Sequence, residues 1–184
     1  MKKQLTLIFI IAICLAGFSS CKKAAEALFP GVDFTLPVIN VTVPAIPLAD
    51  STAEVGAGSF TTYVNVDSTI KANTNGIFGI NAVSSVKVKQ VAVTASNADA
   101  DNNLSAFKTF RITIASNDKT TASDMMSISF PADAGASYTE QPANSTNIVD
   151  YLHGTSITNA VYGSARKTTT KALNIQMTIT LTAK

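Results

Sequence analysis

From Leu173 to Leu181 every second residue is apolar. Leu173, Ile175, Met177, Ile179 and Leu181 share one side, and Asn174, Gln176, Thr178, Thr180 and Thr182 the other. A period of two sends successive side chains to opposite faces of an extended chain, so this segment can bury one face only as a strand. Its polar side asks for water, which places it in an antiparallel sheet with a single packed face. The pattern returns along the chain. Phe110, Ile112 and Ile114 alternate with Arg111 and Thr113; Met126, Ile128 and Phe130 alternate with Ser127 and Ser129 until Pro131 stops the run. Val86 and Val88, then Val91 and Val93, alternate with a slip of phase at Gln90, which a bulge near Lys89–Gln90 accommodates. Phe60–Val66 is β-rich with mixed faces.

Turn-forming clusters separate these runs: Asn73–Gly76, Ser96–Asn103, Ser116–Ser123 and Asp133–Gly135. Upstream, Phe34–Leu36 and Val38–Val43 lie among Pro30, Pro37, Pro44 and Pro47. Proline removes a ladder donor, so this stretch joins a sheet edge only in pieces. Two segments carry helix signals, Asp67–Ala72 and Asn147–Gly154, the second with an Asn start, a Gly stop and Ile148, Tyr151 and Leu152 on one side. Strands at this spacing without βαβ alternation predict an all-β chain folded as an antiparallel β-sandwich. No internal repeat is present.

The N-terminus has a different character. Lys2 and Lys3 precede an uncharged apolar run from Leu5 to Phe18, and Ser19 and Ser20 lead to Cys21. As a helix that run spans about 21 Å, short of the ~30 Å hydrocarbon core, so it reads as the apolar region of a cleaved export signal. The expected organisation is a signal peptide over 1–20, a tether over 21–32 and a β-sandwich over 33–184. Cys14 leaves with the signal, so the remaining chain has no cysteine pair and its core must hold without a disulfide.

Phe18-Ser19-Ser20-Cys21 resembles a bacterial lipobox. The resemblance implies cleavage between Ser20 and Cys21 by signal peptidase II, a diacylglycerol on the Cys21 sulfur and an acyl chain on its amine. Lys22 stands where an inner-membrane retention signal would place Asp, which by the same resemblance favours the outer membrane, at its periplasmic face or the cell surface. Several chains on one residue exceed what stable membrane attachment requires. The whole layout, a lipobox followed by a Pro-rich stretch and an all-β domain ending in a long amphipathic strand, resembles small Bacteroidota lipoproteins with an immunoglobulin-like sandwich. Asp50-Ser51-Thr52 and Asp67-Ser68-Thr69 resemble the O-glycosylation motif of exported Bacteroidota proteins, which would modify Ser51 and Ser68.

Charge and chemistry narrow the function classes. Loss of residues 1–20 removes two lysines and no acid, leaving twelve basic side chains against twelve acidic ones. A neutral chain has no field to steer nucleic acid, and none is expected as a partner. His153 is the only histidine, and no Gly-x-Ser-x-Gly elbow accompanies it, which leaves no triad. Asn97, Asp99 and Asp101 place oxygens at alternate positions in the manner of a calcium loop, without its turn glycine or distant glutamate. The same residues serve hairpin turns through local backbone bonding. The chain has no tryptophan for a sugar platform, and Tyr151 and Tyr162 read as amphipathic residues at the core's edge. Nothing calls for a metal or cofactor.

The expectation is a non-catalytic, lipid-anchored envelope protein. Its sandwich would present a binding or structural surface to an envelope protein or glycan through end loops such as Ser96–Asn103 and Ser116–Ser123. One alternative is a fimbrial or pilus-type subunit that donates Leu173–Leu181 to a neighbour and leaves Phe34–Val43 as the replaced strand. A carbohydrate-binding or hydrolase accessory protein is the other.

Overall fold

The computed structural model describes residues 23–47 and 52–184. Among these residues nine strands form two antiparallel sheets packed face to face. The first sheet contains β1 (Val32–Thr35), β2 (Ile39–Val43), β4 (Val86–Ala95), β7 (Ser137–Glu140) and β9 (Leu173–Ala183). The second contains β3 (Val55–Tyr63), β5 (Phe107–Ser116), β6 (Ser123–Ser129) and β8 (Ser156–Ala165). One helix, α1 (Val66–Asn73), lies in the β3–β4 connection. No helix among the described residues is long and apolar enough to cross a membrane.

The antiparallel sandwich expected from the alternation is what forms. Leu173, Ile175, Met177, Ile179 and Leu181 all lie in the core. Each such side chain contributes about 1.5–3 kcal/mol on burial, so the segment that reads most clearly as a strand is also a main source of core stability. β9 is central, flanked by β4 on one side and by β1 and β2 in succession on the other. β1 and β2 are thus two pieces of one edge, broken at Pro37, as the prolines require. The β4 bulge also falls where the phase slips: pairing with β9 jumps between Val88 and Gln90. Lys89, the extra residue, turns outward and bonds to Asp33 on β1.

The winding follows from nested pairing. β2 pairs β9, β3 pairs β8, β4 pairs β7 and β5 pairs β6, as in one long ribbon folded back on itself. Lateral pairing of β4 with β9 and of β5 with β8 then rolls the ribbon into two sheets. Every connection from β2 onward crosses between sheets except the β5–β6 hairpin. This is the order of a jelly roll. The likeness to an immunoglobulin sandwich stops at the two-sheet architecture, because there the strands divide as ABED and CFG. Alternation decides which face of a strand is buried and leaves its neighbour open.

The two helix signals resolve differently. Asn65 caps α1 by accepting the Ser68 N–H at 2.9 Å, so the cap lies two residues before Asp67. Asp67 instead pairs with Lys71 and accepts the Ile80 N–H at 2.9 Å. Over Asn147–Gly154 only the turn Val149–Tyr151 is helical, and it is a tight 3-10 turn. Ile148, Tyr151 and Leu152 are nevertheless buried.

The connections gather at two ends. At one lie residues 23–31, α1, the β5–β6 hairpin and the β7–β8 connection: Phe29 meets Phe78 edge-on, and Lys119 pairs with Asp150. At the other lie the β2–β3, β4–β5, β6–β7 and β8–β9 connections.

Candidate functional site

At the end opposite residues 23–31 the β8–β9 connection organises the described residues. Arg166 donates from Nη2 to the Phe130 carbonyl at 2.7 Å and from Nη1 to the Pro131 carbonyl at 3.1 Å, which fixes the β6–β7 connection. Thr169 engages the β2–β3 connection in both directions. Its N–H donates to the Ile46 carbonyl at 3.0 Å, and its Oγ1 accepts the Ile46 N–H at 2.9 Å. Thr170 donates from its N–H and hydroxyl to Asn102 Oδ1 at 2.8 and 3.2 Å, joining the β4–β5 connection. Lys171 adds an ion pair to Asp99 at 2.6 Å. One seven-residue loop therefore holds the other three. Most of its partners are backbone groups, which fix position whatever side chains the neighbouring loops carry.

The Asn97–Asn103 segment lies within this end. Asn97 is taken up by the start of β9: its Nδ2 donates to the Ala172 carbonyl at 2.9 Å, and its Oδ1 accepts the Asn174 N–H at 2.8 Å. Asp99 Oδ1 accepts the Asp101 N–H at 3.0 Å and the Asn102 N–H at 2.7 Å. Its carboxylate also receives the Asn102 side-chain amide, at 2.9 and 3.2 Å. The Lys171 ammonium, followed by these amides, holds the Asp99 carboxyl far below the usual carboxylate range. The oxygens read as candidate calcium ligands thus serve loop closure, while Asp101 stays exposed. Among the described residues no group of three His, Cys, Asp or Glu side chains converges on a metal position.

Beside this end an apolar crevice of about 240 Å³ opens between the sheets, lined by Val43, Pro44, Ile46, Val55, Phe107 and Phe110 among others. Its floor belongs to an aromatic cluster. Phe110 lies 4.7 Å from Phe107 and 4.9 Å from Phe130 between ring centres, and Phe130 continues to Tyr138 at 5.5 Å. Burial, followed by the charge of Glu140, pushes the Tyr138 hydroxyl's pKa up.

The other sequence candidates are scattered. His153 is exposed at the far end, after the 3-10 turn. Ser68 is exposed in the first turn of α1. Ser20, Cys21 and Ser51 lie outside the described residues. The two end loops named as candidates for specificity, Ser96–Asn103 and Ser116–Ser123, lie at opposite ends, because β5 runs the length of the sandwich between them. Tyr151 is buried beneath the Lys119 ammonium at 4.6 Å, and Tyr162 lies under the Arg111 guanidinium at 4.4 Å on the outer face of the second sheet. Arg111 also bonds Glu54 at 2.8 Å and Asp124 at 2.7 Å, so one guanidinium engages both carboxylates. Sequence reasoning missed Arg166, Thr169 and Asn102. Their partners are mostly backbone atoms of distant loops, for which a sequence carries no signal.

No protein-family model matches the chain, and no curated protein does. Among solved structures it is similar to the Gx strain of infectious bursal disease virus, at 10% identity and a TM-score of 0.38, over 83% of this chain and 32% of that one. The chain therefore spans about a third of that chain's length. It is also similar to a chitobiase C-terminal domain from Bacteroides fragilis, at 14% identity and a TM-score of 0.29, over 50% of this chain and 54% of that one. Likeness at this level carries no argument about this chain.

Proposed function

We propose that the chain is a non-catalytic, lipid-anchored protein of the bacterial outer membrane. Cys21 carries the lipid, and the sandwich presents its β8–β9 end as a binding or structural surface for an envelope protein or glycan. The reading rests on the lipobox-like Phe18–Cys21 for the anchor. For the presented surface, the supporting observation is the polarity of the fold. Residues 23–31 sit at one end, and the loops organised by Arg166, Thr169 and Thr170 sit at the other. A tether at Cys21 would then hold the first end toward the bilayer and turn the second away from it. Loops held mainly through backbone partners leave their outward side chains free for recognition, which is the usual division between scaffold and specificity.

The test is the intact mass of the full-length chain extracted from bacterial membranes, together with fractionation of Cys21→Ala. The expected result is a mass for residues 21–184 plus a diacylglycerol and an acyl chain, with the variant lost from the membrane fraction. An unlipidated mass, or a variant that still sediments with membranes, overturns the anchor.

A further inference from the structure

The sandwich has four sheet edges, and the described residues close three of them. β6 is covered by the last residue of β7 and by the β7–β8 connection: Glu140 accepts the Ser129 N–H at 3.1 Å, and the Met125 carbonyl accepts the Thr146 N–H at 3.3 Å. β7 has only four residues. The β1–β2 edge is broken at Pro37 and ends at Pro44. These are the ordinary ways a protein blunts an edge. The fourth edge, β3, has nine residues with no charge and no proline. Among the described residues its only blunting device is a bulge between Gly56 and Gly58, which leaves Ser59–Tyr63 regular.

The direction of its free hydrogen-bonding groups follows from pairing. The Val64 N–H donates to the Thr155 carbonyl at 3.0 Å, in register with Tyr63 opposite Ser156. In an antiparallel ladder hydrogen-bonded and non-hydrogen-bonded pairs alternate. Phe60 and Thr62 therefore bond to β8, whereas Ser59, Thr61 and Tyr63 direct their N–H and C=O groups to the open side. The Thr61 and Thr158 hydroxyls meet at 2.8 Å, as the closer spacing of a non-hydrogen-bonded pair allows.

We propose that this edge pairs with the same edge of a second copy of the chain, antiparallel about a two-fold axis at Thr61. Thr61 then faces its counterpart and Ser59 faces Tyr63, so all six free backbone groups of each copy find partners. The two four-stranded sheets become one of eight strands. An isologous contact requires a self-complementary surface, and an uncharged strand brings no like charges together across the axis. Shape agrees as well. Tyr63 is 84% exposed, and in this register its ring lies over Ser59 and the small residues Gly56–Gly58 of the other copy. The inference rests on β3 alone and does not require the lipid anchor.

The test uses the full-length chain purified in detergent. Across the axis the Thr61 Cα atoms would lie about 5.5 Å apart, within disulfide range, whereas the two Ser59 Cα atoms would be about 14 Å apart. Mild oxidation should therefore link Thr61→Cys into a dimer well above the unsubstituted control, and Ser59→Cys no more than that control. Thr61→Pro removes an N–H that faces away from β8, so it should retain the thermal transition and sediment as a monomer. Equal linking at positions 59 and 61, or none at 61, overturns the proposal, as does unchanged association of a folded Thr61→Pro. If Thr61→Pro does not fold, the two cysteine variants still decide. A chain that remains monomeric at every concentration, with its edge reserved for another partner, also overturns it.

Discussion

The β8–β9 loop makes its sharpest prediction at Thr169, which is buried and holds Ile46 by two bonds. Thr169→Val keeps side-chain volume and its own backbone N–H, and so deletes one interaction only. The Ile46 N–H loses its acceptor in a part-buried setting. An intramolecular hydrogen bond contributes about 0.5–1.5 kcal/mol net, and an orphaned buried donor costs about 1–3 kcal/mol. Because Ile46 is only part-buried, the lower half applies, about 1–1.5 kcal/mol. For a chain of this size that lowers the melting temperature by roughly 2–6 °C. The effect should also be local: exchange of the Ile46 amide should accelerate about tenfold, while amides in the middle of β9 stay as they were. Thr169→Ser, which keeps the hydroxyl, should retain the slow Ile46 exchange. Circular dichroism gives the first readout and hydrogen exchange the second. If Thr169→Val matches the parent within 1 °C and leaves Ile46 protected, the loop is not held as described.

Three further outcomes follow from the same geometry. Asp99, Asp33, Asp67 and Asp150 all have carboxyls below their usual range, Asp99 chiefly through Lys171. A folded pKa below the unfolded one contributes stability above about pH 4 that is lost as pH falls toward the folded value, so the melting temperature should decline on acidification in that window. Asp99→Asn should flatten the decline, and a parent curve level from pH 5 to pH 2 would contradict it. Deleting Lys89 removes the one unpaired residue and leaves Val86, Val88, Val91 and Val93 in unbroken alternation opposite Ala183, Leu181, Ile179 and Met177, so the variant should still unfold cooperatively, and loss of a cooperative transition would contradict the bulge. Asn159 is 3% exposed, and its Oδ1 has no partner among the described residues. An apolar side chain of similar size relieves that cost, so Asn159→Val should leave the melting temperature unchanged or raise it by a few degrees. A fall of more than 2 °C would count against this.

Asn159 also explains why part of the fold was legible and part was not. The strands that alternation marks most clearly, β4, β5, β6 and β9, keep apolar residues on the buried face. β8 is as long as β5, but its core-facing side reads Ile157, Asn159, Val161 and Gly163. Only two of those four, Ile157 and Val161, are large and apolar, so alternation fades although the strand is central and pairs on both sides. The Lys89 bulge was visible for the opposite reason, because a slip of one residue inside a strong alternation has no other inexpensive explanation. Partners were hidden throughout. Alternation assigns faces, whereas the jelly-roll order depends on which ribbon halves meet, a matter of connection length and core shape. The candidate site was hidden at another level. Asn97 and Asp99 drew attention as oxygen donors, yet their oxygens are filled by the loop and by β9. The residues that arrange this end, Arg166 and Thr169, act on backbone groups that every sequence supplies. A sequence states which side chains are available; which carbonyls lie within their reach is decided only once the strands have been ordered.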